Sequence, residues 1–134
     1  IERLPQKVQD QLAKTKETLS NNDGMTMVLA LSYGARQEMI DATRAIADKV
    51  QKGELTSGQI NEEMISNHLY TSEIPDPELL VRTSGEMRIS NFLLWQISYA
   101  ELVITDTLWP DFRAPQLYDA LEAYAKRHRR FGKV

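Results

Sequence analysis

Residues 78–105 read ELLVRTSGEMRISNFLLWQISYAELVIT, and their order decides the fold. ELLVR (78–82) and LVIT (102–105) are short apolar runs of strand length. Between them, a Thr83-Ser84-Gly85 turn leads into a segment read as a helix from Ile89 or Ser90 to about Tyr99. Two strands joined through a helix imply a crossover, and so a parallel pair.

Upstream, Met25 to Ser32 (MTMVLALS) is nearly all apolar, which suits a further strand covered on both faces. Pro5 to about Leu19 reads as a helix, ended by the turn cluster Asn21-Asn22-Asp23-Gly24. Tyr33-Gly34-Ala35 opens a second helix, with Met39, Ile40, Ile46, Ala47 and Val50 as its apolar positions and Gly53 as its stop. Thr56 and Gln59 have capping-box spacing before Ile60, Met64, Ile65 and Leu69, which predicts a third helix; Pro75 and Pro77 end it. Downstream, Trp109–Phe112 reads as a turn, with Trp109 either in the core or closing the domain. Pro115 starts a last helix running to about Arg130. Strands alternating with helices predict an α/β fold, a central parallel sheet flanked by helices, with residues 1–134 as a single domain.

The bulk composition narrows the function. At 134 residues, with 42% hydrophobic and 26% charged, the chain has the balance of an ordinary globular domain. A net charge of -3 argues against nucleic acid as a partner. The absence of cysteine excludes disulfides, a thiolate nucleophile and zinc–thiolate sites, and fits a cytoplasmic protein at least as well as a secreted one. No apolar run approaches the ~20 residues of a membrane span, and no signal peptide is visible. The chain opens at Ile1-Glu2-Arg3-Leu4-Pro5 without an initiator Met, as the middle of a longer polypeptide would.

In open parallel sheets ligands bind beyond the carboxyl ends of the strands. That places the corners at 33–36, 82–85 and 105–106 on one edge, and two of them carry an arginine. A helix start after Gly85 offers free N–H groups and a positive dipole end. Ser90 would cap that helix and donate a hydroxyl. Arg82 and Arg88 supply donor forks suited to phosphate, and Arg36 adds a third cation from the neighbouring corner. The plainer alternative pairs Arg82 with Glu86 and leaves Ser90 as a cap, with Arg36 pairing to Glu38 or Asp41. Glu101 is either a locally paired carboxylate or an oxygen ligand for Mg²⁺ carried by a diphosphate. Trp95, in the run Phe92–Trp95, reads as core. His68 and His128 lie too far apart for metal-ligand spacing. The tail KRHRRFGK (126–133) carries five Lys or Arg and no acid, and reads as a solvated helix end or an anion-seeking arm. Residue chemistry thus reaches a parallel α/β module that binds a diphosphate, with Mg²⁺.

The string PDPELLVRTSGEMRISNFLLWQISYAEL (75–102) followed by WPDF (109–112) resembles the C-terminal signature of the cis-prenyltransferase family, most of all its bacterial undecaprenyl diphosphate synthases. ALSYGARQEMIDA (30–42) and RRFG (129–132) resemble two further family blocks, the second an Arg-x-Gly element. The resemblance implies that Arg82, Arg88 and Ser90, with the backbone of Ile89, hold the diphosphate of isopentenyl diphosphate. It implies that Glu101 assists Mg²⁺, and that Arg130 reaches in trans into the partner's substrate site in a homodimer, with Gly132 allowing a sharp turn. The implied reaction condenses isopentenyl diphosphate onto an allylic diphosphate such as farnesyl diphosphate, building a long polyprenyl diphosphate such as undecaprenyl diphosphate for the cell-wall lipid carrier. Peripheral membrane contact through that lipid product follows. The chain departs from the pattern at Met87, where many members carry His, and at Ser32 and Ala35 in the Asn-Tyr-Gly-Gly-Arg block. No Met-Asp-Gly-Asn motif occurs, so no catalytic residue is assigned here; the resemblance implies that the catalytic aspartate lies upstream, and that this chain is the C-terminal part of the enzyme. Two alternatives stand beside this reading: a non-catalytic subunit of a heteromeric cis-prenyltransferase, or a general phosphate-binding α/β module.

Overall fold

The computed structural model describes residues 3–127, in two compact units, one ending at Tyr33 and the other beginning at Gly34. In the first, helix α1 (Gln6–Leu19) starts where the Pro5 carbonyl accepts the N–H groups of Val8 (2.9 Å) and Gln9 (3.2 Å). None of its residues is buried, and side-chain bonds such as Gln6 to Asp10 (2.8 Å) line its surface. The strand expected at 25–32 is not formed: residues 25–30 carry no regular structure, and Met25 is 91% exposed. An apolar run becomes a strand only when a neighbour satisfies its backbone groups. The sheet formed by the described residues has two strands, both in the second unit.

The second unit is organised around α2 (Ala35–Gln51), which buries Ala35, Glu38, Ala42 and Ile46. These recur every three or four residues, so they share one face. Met39 and Ile40, two of the apolar positions read from the helical spacing, lie off that face and are exposed. The expected third helix is broken in two. The Thr56 N–H does bond Gln59 Oε1 (2.8 Å), but this box closes a single 3₁₀ turn over Ser57–Gln59. Asn61 then caps a fresh start, accepting the Met64 N–H (2.9 Å), and α3 (Glu62–Ser66) lasts little more than one turn. A second strong N-cap five residues after the first explains the break.

Strands β1 (Leu79–Arg82) and β2 (Glu101–Ile104) pair in parallel, Leu79 opposite Glu101 and Arg82 opposite Ile104. Helix α4 (Ala114–Ala125) packs against β2. The parallel pairing is as expected, but the crossover is not helical. Residues 90–99 form successive turns, because Ser90 (φ 54), Asn91 (φ 61) and Leu93 (φ 44) are left-handed and cannot continue a right-handed helix. Tertiary bonds hold this segment instead. Trp95 Nε1 donates to Ser66 Oγ (3.0 Å), and Gln96 Nε2 donates to Thr71 Oγ1 (2.9 Å) and to the Glu38 carboxylate (3.2 Å). Glu38, only 1% exposed, also accepts the Tyr70 N–H (2.8 Å). This buried polar knot joins α2, the 66–71 segment and the crossover. At its rim the Tyr70 hydroxyl donates to Asp41 Oδ2 (2.5 Å). That bond, aided by Gln37 and Arg44, holds the Asp41 carboxyl below the usual aspartate range, and it pushes the Tyr70 hydroxyl up. Trp109 is neither core nor closure: it is 71% exposed and stacks on Phe112, ring centroids 6.0 Å apart.

Candidate functional site

Parallel pairing brings the carboxyl ends of β1 and β2 side by side. The Arg82 carbonyl accepts the Thr105 N–H (2.9 Å) as the last rung of the ladder. The chain then turns sharply through Ser84 (φ 69) and Gly85 (φ 63), whose N–H groups bond the carbonyls of Thr107 (3.0 Å) and Thr105 (2.9 Å). Gly85 is required twice over: its backbone is left-handed, and a Cβ there would lie 2.8 Å from Asp106 Oδ1. The turn thereby fixes the segment that follows against the end of β2.

That segment folds back over the strands to enclose a cavity of about 250 Å³, lined by Leu80 to Arg82 of β1, Leu102 of β2, and Glu86 to Ile89 with Phe92. Arg82, Arg88 and Ile89, three of the four residues expected at the diphosphate, therefore meet in one place. The lining carries two arginines and one glutamate, and its other residues are apolar. Arg82 Nε is buried with no hydrogen-bond partner among the described residues, a costly arrangement that an anion would relieve. The expected surface pair between Arg82 and Glu86 is not formed; Glu86 instead pairs with Arg88, whose side chain is 65% exposed.

Other expected residues stand apart. Ser90 is exposed, does not line the cavity and caps no helix, because no helix starts there. The dipole part of the expected anion site is accordingly absent from this corner. Met87 lines the cavity but is largely exposed. Arg36 is exposed and makes no ion pair with Glu38 or Asp41 among the described residues; both carboxylates are engaged with Tyr70. Glu101 is the first residue of β2, level with Leu79, so three strand residues, ~10 Å, separate it along the sheet from the level of Arg82. Its Oε2 accepts Arg127 Nη1 (3.2 Å), and Arg127 Nη2 also bonds the Leu102 carbonyl (3.4 Å). No group of three or more His, Cys, Asp or Glu suited to a metal occurs among the described residues. Glu101 thus fits Mg²⁺ only as a single carboxylate beside oxygens supplied by a phosphate and water, a mode this ion does use. His128, Arg130 and Gly132 lie outside the described residues.

Sequence reasoning missed Asn91, Glu38 and Gln96. The Asn91 carbonyl accepts the Ala35 N–H (2.9 Å) and its Oδ1 accepts the Arg36 N–H (2.9 Å), closing the amino end of α2. An amide side chain inside the apolar run FLLWQI was the available signal for Gln96, since a buried amide needs partners.

A parallel α/β unit with an arginine-lined cavity over its strands defines the class, an α/β domain. Within that class the chain belongs to the prenyltransferase family: residues 1–132 match its model, "Putative undecaprenyl diphosphate synthase". It is 53% identical over 132 residues to the isoprenyl transferase of Porphyromonas gingivalis, covering 98% of this chain and 52% of that one. It is 46% identical to a ditrans,polycis-undecaprenyl-diphosphate synthase, (2E,6E)-farnesyl-diphosphate specific, of Micrococcus luteus, covering 98% and 53%. Among solved structures, lavandulyl diphosphate synthase of Lavandula x intermedia, in complex with dimethylallyl diphosphate, superposes with a TM-score of 0.91 at 40% identity, covering 98% of this chain and 57% of that one. The chain spans about half the length of the curated relatives it matches.

Proposed function

We propose that this chain supplies the isopentenyl diphosphate site of a cis-prenyltransferase that extends an allylic diphosphate, such as farnesyl diphosphate, into a long polyprenyl diphosphate such as undecaprenyl diphosphate. The observation that carries the reading is the meeting of Arg82, Arg88 and Ile89 around one cavity, with the buried Nε of Arg82 lacking a partner.

Arg82, fixed at the end of β1, presents its buried donor to the diphosphate. Arg88 exchanges Glu86 for a second set of phosphate oxygens, and the apolar floor of Leu80, Val81 and Phe92 receives the isopentenyl carbons. So held, the terminal double bond attacks C1 of the allylic partner as the C1–oxygen bond breaks. Diphosphate leaves with the bonding pair, and loss of a proton from C2 of the isopentenyl unit gives the new cis double bond. The contribution of this chain is orientation: fixing one reactant at near-attack geometry removes much of the entropic barrier. Mg²⁺, when bound, would neutralise charge gathering on the diphosphate, with Glu101 as its one carboxylate ligand here. Ser90 joins the clamp only if its turn closes on the substrate. The whole enzyme is proposed to act in the cytoplasm as a homodimer, with Arg130 serving the partner's site and the lipid product drawing it to the membrane.

Steady-state kinetics of the complete enzyme test this. Arg88→Ala is expected to raise KM for isopentenyl diphosphate at least tenfold and to lower kcat, since a charge-assisted bond to phosphate contributes about 1.5–3 kcal/mol. Unchanged KM and kcat would remove Arg88 from the site.

A further inference from the structure

The loop that follows the Arg82 corner is joined to the Arg36 corner through one residue, Asn91. We infer that Asn91 is a positioning residue that locks the loop carrying Arg88 and Ile89 to the first turn of α2, and that diphosphate affinity depends on this lock. The inference rests on the proposed isopentenyl diphosphate site and deepens it.

Asn91 lies three residues beyond Arg88 and immediately before Phe92, and both of those line the cavity. From there it satisfies two backbone donors at the start of α2, the Ala35 N–H through its carbonyl and the Arg36 N–H through Oδ1, each at 2.9 Å. Both donors belong to the first turn, where a helix has no partners of its own. Asn is the residue suited to this place. Its side-chain oxygen caps a helix as well as any, and it tolerates the left-handed backbone found at φ 61. Gly34 completes the fit: a Cβ there would lie 2.9 Å from Asn91 Nδ2, so glycine alone lets the amide sit against the helix start. The backbone of Gly34 is extended (φ -156) and would accept any residue, so the side chain of Asn91 is what excludes a larger one. A loop tethered on one side by the Ser84–Gly85 turn and on the other by Asn91 has little freedom left, so the backbone that carries Arg88 is held at the cavity before substrate arrives.

The test is calorimetric titration of inorganic diphosphate into the complete enzyme, with melting temperature and amide hydrogen exchange at Ala35 and Arg36 measured alongside. Asn91→Gly keeps the left-handed backbone and removes the carboxamide. It is expected to weaken diphosphate binding about tenfold, the scale of one lost hydrogen bond, and to speed exchange at Arg36. Asn91→Asp keeps the acceptor and is expected to restore slow exchange at Arg36. Gly34→Ala is expected to weaken binding similarly in the parent but to add nothing in the Asn91→Gly background, because the atom it meets is gone. Equal diphosphate affinity in Asn91→Gly and the parent, with or without a lowered melting temperature, would overturn the positioning role and leave the site reading intact. Additive losses in the double variant would overturn the lock between Asn91 and Gly34. No diphosphate binding by the parent itself would overturn both readings.

Discussion

Gly85→Ala tests whether the turn after β1 is built as described. The cost has two parts. At φ 63 an L-residue is in the left-handed region, which costs Ala roughly 1–2 kcal/mol relative to glycine, less about 0.4–1 kcal/mol regained from a stiffer unfolded chain. The new Cβ would also stand 2.8 Å from Asp106 Oδ1. That atom ends a short, exposed side chain, so the carboxylate rotates away from its preferred rotamer at about 0.5–1.5 kcal/mol. The sum is a destabilisation of about 0.5–3 kcal/mol, read by urea denaturation of the complete enzyme followed by circular dichroism. Asp106→Ala separates the parts. In that background Gly85→Ala should cost only the backbone share, so the double-mutant cycle shows a coupling of about 0.5–1.5 kcal/mol. Because the Ser84 and Gly85 N–H groups tie the loop to residues 105 and 107, diphosphate affinity should fall with stability. Parent-like stability in Gly85→Ala, or its full cost with no coupling to Asp106, would refute the description of this corner.

Two further outcomes follow from the buried knot. Gln96→Leu removes one side-chain donor from Glu38 and from Thr71 at a site where Glu38 is almost wholly buried but keeps the Tyr70 N–H; unfolding by urea should show a loss of about 1.5–3 kcal/mol, the scale of a lost hydrogen bond to a charged group. Tyr70→Phe removes the leading cause of the lowered Asp41 pKa, so the carboxyl titration followed by NMR should move up towards 3.8. The sign follows from linkage: a depressed carboxyl stabilises above its unfolded pKa and loses that stabilisation as pH falls through the folded one. The acid-side loss due to Asp41 should therefore shrink in Tyr70→Phe.

How much of this was legible in the sequence depends on which forces fix each part. Helices α1, α2 and α4 and strands β1 and β2 were legible because periodicity, proline and glycine act locally. The order strand, long connection, strand made the pair parallel, and parallel pairing alone brings Arg82 beside Thr105. The strand expected at 25–32 was not formed, since a strand is a property of a pair and the run names no partner. The helix expected at 89–99 failed for a different reason. Its apolar spacing was sound, but Trp95 and Gln96 are anchored to Ser66 and Thr71, and three left-handed residues break the register. Such long-range polar bonds leave no periodic trace.

The failure of that helix alters the chemistry of the site. A helix dipole would have supplied a fixed positive field and Ser90 a preorganised cap, with the arginines as additions. Without it, the cations lining the cavity are, among the described residues, Arg82 and Arg88, and these are unlike each other. Arg82 is set in a strand, its Nε buried and unpartnered, whereas Arg88 is exposed and engaged with Glu86. On the proposed reading a fixed donor and a recruitable one divide the work: Arg82 would register the diphosphate against the sheet, and Arg88 would close over it by leaving Glu86. That division sets an order among variants. Arg82→Lys loses the planar fork at a donor set in a strand, and should cost more affinity than Arg88→Lys, whose exposure leaves an ammonium freer to find the same oxygens. Titration of inorganic diphosphate into both variants measures the order, and a larger loss in Arg88→Lys would reverse the assignment of the fixed and the closing cation.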